Sequence, residues 1–178
     1  MNALVKSEGK AIPAAAQAAG QELQQYLTFM LGGETFAIGI LSIKEIIEYG
    51  QLTTIPRMPG FIRGVINLRG AVVPVVDLSA RFGRQASPVT RRSCIVIIEV
   101  QTGEEQQVVG VMVDAVNEVL DIPGSDIEPA PTFGAHIRAD FIRGMGKVAD
   151  KFVILLDVDH VLSVDEMAQL AGAGEAVQ

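Results

Sequence analysis

The chain repeats itself, and the repeat limits what it can fold into. Ala37-Ile38-Gly39-Ile40 returns 73 positions later as Gly110-Val111-Met112-Val113. At the same offset Ile43, Glu45 and Ile46 meet Val116, Glu118 and Val119. Phe61-Ile62-Arg63-Gly64 returns 80 positions later as Phe141-Ile142-Arg143-Gly144, and Asp77 then meets Asp157. The added residues fall where Pro123, Pro129 and Pro131 cluster, a connection that tolerates insertion. Two halves with the same order of short apolar segments imply two similar β subdomains. Two sheets of one sandwich would satisfy the same pattern.

The repeated segments read as strands. Residues 24–31 alternate, and Gly32-Gly33 turns them back through Phe36, Ile38 and Ile40. Residues 65–68 and 71–76 are rich in β-branched side chains around Arg69-Gly70. Hairpins are also expected around Thr102-Gly103 and Ala149-Asp150. Residues 43–49 fit a short strand or two helical turns. Pro74 removes a ladder donor, which points to an edge strand or a bulge. Residues 1–22 and 171–178 read as flexible tails, leaving residues 23–170 as one domain of two intertwined subdomains. The polar loop 83–90 is the internal boundary. Ser163 and Glu166 have capping-box spacing before Met167-Ala168-Gln169-Leu170, which predicts one short C-terminal helix.

Charge and composition exclude several classes of function. The net charge is −7, and no basic run exceeds Arg91-Arg92, so nucleic acid is not the expected ligand. The single cysteine, Cys94, lies in an apolar run and reads as a small hydrophobe; it cannot form an internal disulfide. No apolar span is long enough to cross a membrane as a helix, and no signal peptide is recognisable. A soluble, cytoplasmic protein without membrane insertion is expected.

Catalytic signatures are sparse. His136 and His160 lie in different segments with no nucleophile motif beside either. Asp157 and Asp159 end a strand and open a helical segment more naturally than they bind metal. Asp114, Glu118 and Asp121 read as a solvated face. No phosphate-binding glycine loop occurs, and no cofactor is expected. An enzyme on a β-barrel scaffold, using Glu45 or His136, is the competing class.

Arg69 stands out instead. A tight turn uses Gly70, but turn chemistry does not ask for an arginine before it. Eighty positions on stands Ala149. A residue needed only to fold the repeat should occur in both halves. If residues 43–49 form a strand, Ile43 and Glu45 share a face, as do Val116 and Glu118. Brought together by a pseudo-twofold, the two segments would line a groove with an apolar floor and charged edges, suited to an amphipathic helix. Ile43 and Val116 fit an ordinary core equally well.

The order of motifs resembles the CheW family, adaptors of bacterial chemotaxis arrays. The resemblance is carried by Phe36-Ala37-Ile38-Gly39-Ile40, Ile43-Lys44-Glu45-Ile46, the run from Pro59 to Gly70 ending in Asn67-Leu68-Arg69-Gly70, and Val73-Pro74-Val75-Val76-Asp77-Leu78. It continues through Val109-Gly110-Val111, Val113-Asp114 and residues 116–120. It implies a mainly β fold of two five-stranded SH3-like barrels related by a pseudo-twofold, and no enzymatic activity. It further implies coupling of chemoreceptor signalling tips to the regulatory domain of the CheA histidine kinase, with ring assembly at membrane-associated arrays. Similar adaptors serve other receptor–kinase pathways such as twitching motility. By position, the receptor-facing residues would be Ile43, Glu45, Gly64, Arg69, Val116 and Val119. Glu45 and Arg69 would supply a polar rim, and Gly64 would allow close backbone approach. Kinase contacts are not assigned to single residues.

Overall fold

The two halves of the repeat exchange strands. The computed structural model describes residues 23–130 and 137–163. In chain order the strands are β1 (Leu23–Leu31), β2 (Glu34–Gly39), β3 (Ile43–Glu48), β4 (Ile62–Leu68) and β5 (Ala71–Asp77), followed by the single-turn helix α1 (Leu78–Arg81). The second half runs β6 (Cys94–Thr102), β7 (Glu105–Val113), β8 (Ala115–Pro123), β9 (Ile127–Glu128), β10 (Ile142–Val148), β11 (Lys151–Leu156) and α2 (Val158–Val161). One sheet has the order β9-β10-β11-β2-β1-β8 and the other β3-β6-β7-β5-β4. The loop 83–93 therefore separates the repeats but not the sheets, since β5 and β6 lie in the same sheet. Residues 43–49, open between strand and helix in the sequence, are strand β3 through Glu48.

Each sheet closes on itself. The chain leaving β3 crosses to the free edge of β4, where Thr53 and Val65 exchange two backbone hydrogen bonds of 2.9 Å. In the other half β9 continues β8 through a short turn and pairs with β10. Closure makes these two small barrels rather than two faces of one sandwich. The β9 pairing adds a sixth strand to one sheet, where five had been expected; its counterpart at Thr53 is a single bridge.

Two glycines make closure possible. A Cβ on Gly64 would lie 2.6 Å from the Thr53 carbonyl oxygen, and its φ is +151°. A Cβ on Gly144, its partner in the repeat, would lie 2.7 Å from Ile127 Cγ2. Both glycines let the crossing segment approach the strand backbone.

The core has three parts. Each barrel holds a small cluster, one around Tyr26, Ile122 and Leu155, the other around Val75, Ile95, Ile97 and Met112. The largest cluster lies between the barrels and draws on both halves. Phe29, Phe36, Phe82 and Phe141 run through it in succession, with centroid spacings of 6.1, 5.6 and 6.0 Å. Burying each such side chain is worth about 1.5–3 kcal/mol, so the shared cluster binds the two barrels into one unit.

Three local expectations change. Pro74 lies in a central strand, between β4 and β7, not at an edge. It sits opposite Val65, whose backbone bonds Thr53, and the parallel ladder to β7 begins one residue later at Val75. At the matching position in the other half, Ile154 does pair, with Phe36. Pro74 thus delays the start of that ladder by one residue instead of ending a sheet. Asp114 is half-buried rather than solvated: its Oδ2 accepts the Gly32 amide at 2.8 Å, tying the β1–β2 turn to the corner before β8. Asp157 caps α2 by accepting the His160 amide, as Asp77 caps α1 through the Ala80 amide. The expected helix at 167–170 and both tails lie outside the described residues.

Candidate functional site

Two edge strands, β3 and β8, carry matching bulges, and these set the site. On β3, Ile43 lies opposite Ile98, Glu45 opposite Ile97 and Ile46 opposite Val96. Lys44 is the extra residue. Opposed residues point to the same side of a sheet. Ile98 and Val96 belong to the central core, and Ile97 to the barrel's own cluster. Ile43 and Ile46 therefore face the inter-barrel side, and Glu45 faces the other. The expectation that Ile43 and Glu45 share a face is corrected, because the bulge breaks the alternation.

The second half repeats the device. Val116 lies opposite Phe29 and Val119 opposite Leu27, both in the central core. The Thr28 hydroxyl fills the bulge, donating to the Glu118 carbonyl at 2.8 Å and accepting the Glu118 amide at 3.2 Å. Ile43 and Val116 pack partly against the core, while Ile46 and Val119 are 42% and 47% exposed. Ile46 was not among the residues expected at the site. Its match to Val119 at the 73-residue offset was the signal that pointed to it.

On the opposite face of β3, Glu45 meets Arg69. Arg69 Nη1 and Nη2 donate to the two carboxylate oxygens at 2.5 and 3.0 Å. Arg69 lies in a two-residue turn with Gly70, at φ of 52° and 89°. Leu68 pairs with Ala71 across it, so this is a type I′ hairpin. An arginine is an unfavourable residue for that left-handed position. Asn67 offsets this locally, its Oδ1 accepting the Gly70 amide at 2.8 Å. The hydrogen bond from Arg69 holds the Glu45 carboxyl below its ordinary range, and the carboxylate in turn raises the guanidinium pKa. In the other half, Ala149 and Asp150 form the same turn at φ of 50° and 67°. There Glu118 and Ala149 occupy the matching positions and no such pair exists.

Gly64, the remaining expected site residue, lies on β4 beside the Thr53 crossing. It is buried, and its close approach is taken by Thr53 within the chain. Cys94 is half-buried; burial pushes its thiol pKa up, the Glu48 carboxylate adds to this, and the Val116 backbone amide offsets part of it. These contacts place the start of β8 beside the far end of β3. His160 pairs with Asp157 through Nδ1 at 3.0 Å, and His136 lies outside the described residues. Among the described residues no group of three or more His, Cys, Asp or Glu could hold a metal ion, and no helix is long and apolar enough to cross a membrane.

Two closed barrels whose distinguishing residues lie on edge strands and a hairpin tip form a protein-interaction module. Known relatives identify its kind. The family model described as CheW-like domain matches residues 25–166. The chain is 37% identical over 145 residues to the chemotaxis protein CheW of Klebsiella aerogenes, covering 82% of this chain and 85% of that one. It is 35% identical over 147 residues to CheW of Rhizobium meliloti, covering 83% and 90%. Among solved structures, the scaffolding protein TtCheW of Thermoanaerobacter tengcongensis superposes with a TM-score of 0.71 at 35% identity, covering 80% of this chain and 89% of that one. The chain belongs to the CheW-like family, the non-enzymatic scaffolds of chemotaxis signalling.

Proposed function

We propose that this scaffold couples the cytoplasmic signalling tips of chemoreceptors to the regulatory domain of a CheA-type histidine kinase, in the cytoplasm at membrane-associated arrays. Ring assembly with kinase domains of similar fold follows from that role. The observation that carries the receptor part is the Arg69–Glu45 pair, present in one half of a repeat that folds without it in the other. A helix lying over the edge strands would bury its apolar stripe against Ile43, Ile46, Val116 and Val119, with Arg69 and Glu45 as a charged rim. Gly64 serves the site indirectly, closing the barrel on which the Arg69 hairpin stands.

The test is reconstitution of receptor-containing membranes, kinase and this protein, with sedimentation and kinase autophosphorylation as readouts. The expected result is co-sedimentation of all three and receptor-dependent kinase activity that is lost when this protein is omitted. Failure of the protein to bind receptor or kinase would contradict the reading.

A further inference from the structure

The bulge that opens β4 has a twin at the start of β10. On β4, Ile62 pairs with Val76 and Gly64 with Val75, leaving Arg63 extra; on β10, Ile142 pairs with Leu156 and Gly144 with Leu155, leaving Arg143 extra. Such bulges re-aim the side chain they carry. Arg63 turns inward. It meets the buried Asp77 carboxylate at 2.8 Å, the Tyr49 hydroxyl at 3.0 Å and the Ser87 carbonyl at 3.3 Å. Arg143 has no such set of partners. The carboxylate at the matching position, Asp157, is taken by His160, and Arg143 makes no hydrogen bond or ion pair among the described residues.

Arg143 instead lines an open cleft of about 400 Å³ with Leu23, Gln25, Ile40 and Leu41. Leu41 is 98% exposed, on the single turn that joins β2 to β3, and Leu23 is 56% exposed. An unpaired guanidinium beside fully exposed leucine is unusual on a chain of net charge −7. It complements an aliphatic side chain adjacent to a carboxylate. The cleft is continuous with the proposed receptor surface, because the turn bearing Leu41 runs directly into Ile43. Leu41 lies two residues before Ile43 in the 3-10 turn Ile40–Ser42, which rises roughly 2.0 Å per residue, so the two positions fall within about one 5.4 Å helical pitch of each other. A helix seated on Ile43 would bring its next turn over Leu41.

We propose that this cleft is a second contact for the same receptor helix, with Leu41 receiving an aliphatic side chain and Arg143 selecting an acidic residue about one turn from the one over Ile43. This rests on the receptor reading above. The probe is the purified signalling-tip hairpin of a chemoreceptor from the same organism, titrated against the full chain. Arg143→Glu and Leu41→Ser should each weaken binding about tenfold, Arg143→Lys should retain most of it, and both should leave the thermal melt unchanged. Reversing one acidic residue of the hairpin to lysine should restore binding to Arg143→Glu. If Arg143→Glu does not fold, Arg143→Gln supplies the same readout. Wild-type affinity in Arg143→Glu or Arg143→Gln, or a loss confined to kinase binding, overturns the proposal. Where Val119→Asp weakens the hairpin and Arg143→Glu does not, only this inference fails. Where neither weakens it, the receptor reading fails with it.

Discussion

Arg69 grips Glu45 through two hydrogen bonds, and the residues at the matching positions of the repeat, Ala149 and Glu118, cannot form that pair. Both hairpins nevertheless adopt the same left-handed turn. The pair is thus added to the fold rather than required by it. Because arginine is poorly suited to the turn position, Arg69→Gly should leave the melting temperature the same or raise it by up to about 5 °C. A drop larger than that, measured by thermal melting, would make Arg69 a folding residue.

The exposed half of the aliphatic patch should behave similarly. Ile46→Asp and Val119→Asp place a charge on edge strands at positions already in contact with solvent. Each should keep its far-ultraviolet circular dichroism spectrum and cooperative melt, while weakening a receptor hairpin by about tenfold or more in calorimetric titration. Undiminished affinity in both variants would remove the edge strands from the interface.

Gly64 and Gly144 offer a paired test of barrel closure. Gly64→Ala meets a backbone carbonyl and a left-handed φ together, and should cost about 2–4 kcal/mol in urea unfolding. Gly144→Ala meets Ile127 Cγ2 at 2.7 Å and the Glu128 carbonyl oxygen at 3.1 Å, both on the two-residue strand β9, without a left-handed φ, and should cost less. Equal losses would mean that the Thr53 crossing yields as readily as Ile127.

The two helix-capping aspartates should also differ. Asp77 is fully buried and paired with Arg63, so Asp77→Ala leaves that cation without its partner and should cost about 3–5 kcal/mol. Asp157→Ala removes a cap and an exposed His160 contact, and should cost about 1 kcal/mol. Denaturant midpoints of the two variants decide this; similar values would deny the Arg63 network its role.

His160 gives the fold a mild pH signature. Hydrogen bonding to Asp157 raises its pKa above the ordinary 6.5, with Asp140 and Asp159 adding to the effect. The stabilisation is complete below the unfolded value and is lost as pH rises through the folded one. Wild-type protein should therefore lose more stability than His160→Gln between about pH 5.5 and pH 8. Glu45 and Asp140 act oppositely: their lowered pKa values mean their contribution is lost as pH falls through the acid range. Parallel pH profiles for wild type and His160→Gln would contradict the first assignment.

Much of this was legible in the sequence because the repeat is marked by residues with backbone consequences. Phe-Ile-Arg-Gly recurs because glycine is needed where each barrel closes, and the aspartates recur because each caps a helix turn. Strand exchange was not legible, since pairing order leaves no trace in alternation. The face assignment of Glu45 failed for a related reason: a bulge inserts one residue without changing the local pattern of apolar and polar side chains. Ile46 was hidden by the same bulge, although its match to Val119 was visible. Arg63 and Arg143 occupy matching positions in sequence, and Tyr49, the loop bearing Ser87 and the partner of Asp157 separate their roles.

The role proposed for Arg69 is recognition and not folding. It is tested by titrating a chemoreceptor signalling-tip hairpin against wild type and Arg69→Ala, with thermal melts of both. Binding should weaken about tenfold or more, with a melting temperature shifted by no more than about 5 °C. Wild-type affinity in Arg69→Ala, or loss of the folded state, would contradict it.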